Sequence, residues 1–199
     1  MYISTQQRDG DPIVFWSHEN QIHPPSISKD GKILSTKKSD LIKCFDISEQ
    51  KELPNIFDSK IFDGGSLIHT LSAANSSTFQ DFAENTFIPY LEFELQKVTM
   101  RIDVVWDRYL QNSIKSSTRE NRGTGVRIKV SPSTKVPKNW KNFLLDSTNK
   151  TELFDYLSQV VENQNFPEDK SVFITKGQEV IAKNTNYEMV TCTHEEADT

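Results

Sequence analysis

Cysteine is almost absent: Cys44 and Cys192 are the only two in 199 residues. Two thiols so far apart make neither a disulfide framework nor a thiolate metal centre, and both are expected to be free. Long apolar runs are missing as well. No stretch approaches the roughly 18 to 20 apolar residues that cross a bilayer, and the opening Met1-Tyr2-Ile3-Ser4-Thr5-Gln6-Gln7-Arg8 lacks the basic-then-apolar order of a secretory signal. The expectation is a soluble protein inside the cell, with the nucleus one option and no membrane partner. Positive charge is also in deficit. With 23 Lys and Arg against 28 Asp and Glu, the net charge of -5 excludes a general coat for nucleic acid.

What is present suits one ordinary domain. At 35% hydrophobic and 26% charged, the chain can bury a real core. The expected division is a polar N-terminal extension, residues 1–55, followed by a domain over 56–199. The average charge hides an asymmetry. Residues 101–141 carry ten basic side chains against three acidic ones, so a cationic segment rides on an anionic body and can attract a polyanion locally.

In the extension, Asp11 and Pro12 open one expected short helix, and Ser39 to Phe45 form another. His18 and His23 fall on different helical faces and read as surface or packing histidines. Next, Ile56-Phe57-Asp58-Ser59-Lys60-Ile61-Phe62 reads as a strand running into Asp63-Gly64-Gly65. Taken alone, Asp63-Gly64 signals a hairpin turn. The other reading places Asp63 at the end of a strand whose glycines let the backbone bend into the next segment. Phe79, Phe82, Phe87, Leu91, Leu95 and Val98 predict a core-facing helix, opened by a Ser77–Gln80 capping box and kinked at Pro89. The run Arg101-Ile102-Asp103-Val104-Val105-Trp106-Asp107 then reads as a buried strand ending on an acid. Strand, helix, strand argues for a parallel α/β sheet. Residues 126–138 read as an exposed basic connection. Further helices are expected at Asn139–Leu145 and Lys150–Glu162, and strands at Ser171–Thr175 and Glu188–Cys192. Thr193 with Glu196 makes a capping box too near the end to support a helix, which predicts a fragment of a longer protein, truncated at the C-terminus.

Three acid positions share one character: Asp63 after one strand, Asp107 after a second, and Glu195, Glu196 and Asp198 after a third. In parallel α/β sheets the carboxyl ends of the strands lie along one edge, where ligands bind. Carboxylates gathered there repel unless a cation compensates, and hard oxygen ligands suit Mg²⁺ or Mn²⁺. If Ser113–Arg122 is helical, Lys115, Arg119 and Arg122 share one face beside Asp107.

At this point the order Phe62-Asp63-Gly64, then Val105-Trp106-Asp107 with Lys115, Arg119 and Arg122, then Glu196-Ala197-Asp198 resembles the PIN-like fold in its flap-endonuclease (XPG-type) branch. The resemblance spans about residues 58–199. A group of animal proteins shares more: Asp63-Gly64, Val104-Val105-Trp106-Asp107 with Tyr109, the pattern from Ser113 and Lys115 through Arg119, Arg122 and Gly123 to Gly125, and His194 to Thr199. The likeness departs from the nucleases at Asp198, where they carry Glu, and the paired aspartates of their next strand would lie beyond Thr199.

The resemblance implies a parallel central sheet with flanking helices and a divalent-metal-dependent nuclease. Asp63, Asp107, Glu195, Glu196 and Asp198 are then the metal ligands. Lys115 and Arg119 meet the scissile and neighbouring phosphates, while Arg122, Arg127 and Lys129 hold the flanking strand. Nucleic acid is the implied partner and Mg²⁺ or Mn²⁺ the implied cofactor. His69 and His194 stay outside this set because two-metal hydrolysis needs no general base. The alternatives are a PIN-like domain that has lost catalysis and binds nucleic acid or protein, and an unrelated α/β domain whose acids lie far apart.

Overall fold

The computed structural model describes residues 23–24, 27–34, 56–110, 125–187 and 189–195. The chain divides into two compact units, Met1–Glu52 and Leu53–Thr199. In the first, β1 (Ser28–Lys29) and β2 (Lys32–Ile33) pair antiparallel. Their connection is Asp30-Gly31, with φ of 53° and 74°, the positive-φ pair that a tight hairpin turn demands. The two helices expected at Asp11–Trp16 and Ser39–Phe45 lie outside the described residues.

The second unit is built on a four-stranded sheet in the order β3 (Phe57–Asp63), β4 (Val98–Val105), β5 (Ser171–Lys176), β6 (Glu179–Lys183). β3, β4 and β5 run parallel, and β6 returns antiparallel on β5. The sheet is therefore mixed rather than wholly parallel. A two-residue turn at Gly177-Gln178, with Gly177 at φ 60°, reverses the chain and creates β6. The strand expected from Glu188 is not formed over the described residues 189–192. There Cys192 instead donates its N–H to the carbonyl of Gln178 in that turn.

One face of the sheet makes the core. Ile102, Val104, Val172 and Ile174 pack with the helices, with Phe62 and Ile181 partly buried beside them. Ile61, one residue from Phe62 in the pleat, is 68% exposed, as period-two alternation requires when helices cover one side. Those helices are α1 (Gly64–Thr70), α2 (Phe79–Phe82), α3 (Ile88–Leu95), α4 (Trp140–Phe143) and α5 (Ser147–Asn163).

Local chemistry explains their ends. The box that opens α2 is Thr78–Asp81, one residue beyond the expected Ser77–Gln80. The Asp81 carboxylate accepts from both Ser77 and Thr78 N–H, at 3.1 and 3.0 Å, and the Thr78 hydroxyl accepts the Asp81 N–H at 3.1 Å, while the Gln80 amide nitrogen donates to Glu84. Between α2 and α3, Ala83–Phe87 is a π-helical turn, and the Ile88 N–H reaches the Ala83 carbonyl. Pro89, which lacks an N–H, falls in the first turn of α3, where none is needed. Residues 126–138 are less exposed than a free connection, since Ile128, Val130 and Val136 pack on the core.

Candidate nucleic-acid processing site

The parallel strands bring their carboxyl ends to one edge, and two acids arrive there. Asp63 closes β3, paired in register with Val105, and Asp107 follows β4 two residues later. Asp63-Gly64 is not a hairpin. Asp63 has φ -65° and caps α1, its Oδ1 accepting the Ser66 N–H at 3.0 Å. A carboxylate at a helix N-terminus satisfies a donor with no partner in the helix and meets the positive end of its dipole.

The glycine that opens α1 is required by what the helix crosses. A methyl group on Gly64 would lie 2.1 Å from Cε3 of Trp106, so the backbone passes directly over the indole. That ring is anchored from every side. It stacks on Phe154 at 4.4 Å and lies 6.0 Å from Phe87. Its Nε1–H donates to Ser158 Oγ at 2.8 Å, and its backbone N–H donates to Thr175 Oγ1 at 2.8 Å. Trp106 thus fixes the end of β4 against α5 and β5, and so fixes where Asp107 begins.

The Gly65 position defines the site. A methyl group there would lie 3.1 Å from Asp107 Oδ2 and 3.3 Å from Asp63 Oδ1. Both carboxylates therefore border the space that a side chain at position 65 would fill, their oxygens no farther apart than those two distances combined. Tyr109 adds its hydroxyl at 3.5 Å from Asp107 Oδ2. The Nζ of Lys150, on the first turns of α5, sits 4.3 Å from the centroid of the Tyr109 ring.

His69, in the last turn of α1, completes the surroundings. Shielding by neighbouring atoms lowers its pKa first and the charge of Lys150 lowers it further, while Asp63 pulls it up. One imidazole thus feels both the anion and the cation of the site. Beside Asp107 lies a cleft of about 170 Å³, lined by Trp106, Tyr109, Phe154, Asp155 and Gly177 among others. It is smaller than the roughly 300 Å³ at which pockets for drug-sized ligands begin.

No family model, curated protein or solved structure matches the chain.

The other expected site residues divide into four groups. Glu195 is tied to the segment after β4 through its backbone, its carbonyl accepting the Arg108 N–H at 2.7 Å. Lys115, Arg119, Arg122, Glu196 and Asp198 lie outside the described residues. Arg127 is engaged within the protein, by the Glu152 carboxylate, by Asn149 Oδ1 at 2.9 Å and by the Ile128 carbonyl. Lys129 is exposed nearby. Among the described residues no group of three or more His, Cys, Asp or Glu side chains could hold a metal ion. The pair beside Gly65 supplies two hard oxygen ligands, within the one or two carboxylates by which Mg²⁺ is commonly held while keeping several waters.

Buried Asn149 organises the return from the basic segment. Its amide accepts from Ile128 N–H at 2.9 Å and donates to the Val126 and Phe143 carbonyls at 2.7 and 3.0 Å. Gly125, at φ 66°, makes the approach possible, since a methyl group there would meet the Asn142 carbonyl at 2.5 Å. His194 has a structural contact, its Nε2 lying 3.1 Å from the Trp106 carbonyl. Sequence reading missed Tyr109 and Lys150 as site residues. Tyr109 offered a signal, two residues beyond the strand-end acid, whereas Lys150 offered none.

Proposed function

We propose that this protein is a divalent-metal-dependent nuclease of the PIN-like, flap-endonuclease type, hydrolysing phosphodiester bonds in nucleic acid. The observation that carries the reading is the Asp63–Asp107 pair at neighbouring strand ends, both bordering the open space at Gly65. When bound, Mg²⁺ or Mn²⁺ supplies Lewis-acid stabilisation of the phosphodiester and a more acidic water.

The chain's own residues do the rest. Asp63 and Asp107 hold the ion, with Glu195, Glu196 and Asp198 as further acids from the C-terminal segment. The Ser66 N–H orients Asp63, and the Tyr109 hydroxyl stands beside Asp107. Lys115 and Arg119 bear on the scissile and neighbouring phosphates, and Arg122 and Lys129 on the flanking strand. Arg127 belongs to the binding set through the loop it braces, because its guanidinium is held by Glu152 and Asn149.

The test is cleavage of labelled single-stranded, flap and duplex DNA and RNA in Mg²⁺ or Mn²⁺. Cleavage that falls to background in Asp107→Asn supports the proposal. Absence of cleavage in the unaltered protein, or equal cleavage by Asp107→Asn, overturns it. Salt-sensitive binding that survives an Asp63→Asn, Asp107→Asn double change, without cleavage, would identify instead a PIN-like binding module that has lost catalysis.

A further inference from the structure

Lys150 was not among the cations that the sequence brought forward, yet its position is specific. It enters from α5, far along the chain from the Lys115–Arg122 segment, and its Nζ rests 4.3 Å from the centre of the Tyr109 ring. The same Tyr109 reaches Asp107 Oδ2 with its hydroxyl at 3.5 Å. Tyr109 is itself backed by Phe154, at 6.3 Å between ring centres, and Phe154 stacks on Trp106. A chain of aromatic contacts therefore ties the Lys150 ammonium to the tryptophan that sets the end of β4. Lys150 is also close enough to His69 of α1 to act on it electrostatically, as Asp63 does.

We propose that Lys150 is a substrate-binding residue of this site, gripping a backbone phosphate of the nucleic-acid strand next to the position held between Asp63 and Asp107. The inference rests on the phosphodiester reading above and adds to it a contact from α5. A lysine ammonium is a point charge with three donors, so it can serve a phosphate oxygen in addition to the contacts it makes within the protein. The electron-rich face of Tyr109 restrains a side chain that otherwise loses rotamer freedom on binding. Its situation at the N-terminal end of a 17-residue helix places it where the helix dipole also favours an anion. Two carboxylates alone repel a polyanion, and a cation held beside them lowers that barrier to approach.

The experiment compares the unaltered protein with Lys150→Gln and Lys150→Arg in binding a fluorescein-labelled single-stranded DNA oligonucleotide. Anisotropy is read over a range of salt in Ca²⁺, with thermal unfolding of each variant alongside. On single-stranded DNA a single phosphate contact contributes about 0.7 to the slope of log K against log salt, which corresponds to about fivefold in affinity at about 0.1 M salt. The expected result is that Lys150→Gln loses that increment in both slope and affinity and unfolds at the wild-type temperature, while Lys150→Arg retains both. A merely structural lysine would not change the slope. Salt-dependent binding by the wild type with the same slope in Lys150→Gln overturns the role of Lys150 and leaves the phosphodiester reading standing. Absence of salt-dependent binding by the wild type overturns that reading itself, and Lys150 with it.

Discussion

Replacing Gly64 with alanine sets two effects of opposite sign against each other. Gly64 is the first residue of α1 and its φ is not positive, so on backbone grounds alanine is allowed and stabilises by up to about 1 kcal/mol through the unfolded chain. Sterics oppose this. The new methyl carbon would stand 2.1, 2.5 and 2.9 Å from three atoms of the Trp106 indole, where carbon contacts are comfortable only at roughly 3.5 to 4.0 Å. The ring has nowhere to retreat. It is 3% exposed, stacked on Phe154 and hydrogen-bonded through Nε1 to Ser158, whose hydroxyl lies within hydrogen-bond distance of the Phe154 and Thr175 carbonyls. Overpacking of this kind costs about 1 to 3 kcal/mol or more, and expulsion of the ring would cost about 3 to 5 kcal/mol. The net expectation is a loss of about 2 to 4 kcal/mol. Urea denaturation followed by tryptophan fluorescence should show a lower midpoint at an unchanged slope, with Tm falling by roughly 4 to 16 °C. A Gly64→Ala protein as stable as the wild type, or more so, would refute the close crossing of α1 over Trp106.

Gly65→Ala should behave differently, because its methyl group meets only the two carboxylates, at 3.1 and 3.3 Å. The fold should survive within about 1 kcal/mol, but Mn²⁺ binding measured by calorimetry should be lost, and undiminished binding would show that this space is not the ion's seat. Glu94 is buried between Lys60 and Lys97. Burial pushes its carboxyl upward, but the hydrogen bonds and charges of the two lysines outweigh that and hold it below the usual carboxylate range. Its contribution is therefore complete above the unfolded-state value of about 4.3 and lost as pH falls through the lower folded-state value. Urea midpoints taken down into the acid range should drop less steeply in Glu94→Gln, and parallel declines would contradict the assignment. Asn149→Leu strands the Ile128 N–H and the Val126 and Phe143 carbonyls, so a loss of roughly 2 to 4 kcal/mol in urea is expected. A change below about 1 kcal/mol would mean the clasp is dispensable.

Local pattern carried much of the fold. The alternation and apolar run ending at Val105, the aromatic spacing from Phe79 to Leu95, and the stripe along α5 each record which face an element buries. They did so without reference to anything distant. The failures have the same origin. Asp63-Gly64 and Asp30-Gly31 are the same dipeptide, yet one caps a helix and the other turns a hairpin. What separates them is backbone conformation: Asp30 and Gly31 both take positive φ, whereas Asp63 stays extended and accepts the Ser66 N–H. β6 escaped notice because Glu179–Lys183 is a partly exposed edge strand, whose stability comes from pairing with β5 rather than from its own composition.

The sequence by itself determined that acids follow apolar strands, that basic residues cluster after Asp107, and which side chains form the buried stripes, because these are properties of neighbours along the chain. Only the tertiary structure decided that Asp63 and Asp107 both come beside Gly65, that Lys150 lies over the ring of Tyr109 next to Asp107, and that Arg127 pairs with Glu152. Periodicity states that a face must be covered. Which remote segment covers it, and so which charges come within reach of one another, depends on packing that no local pattern encodes.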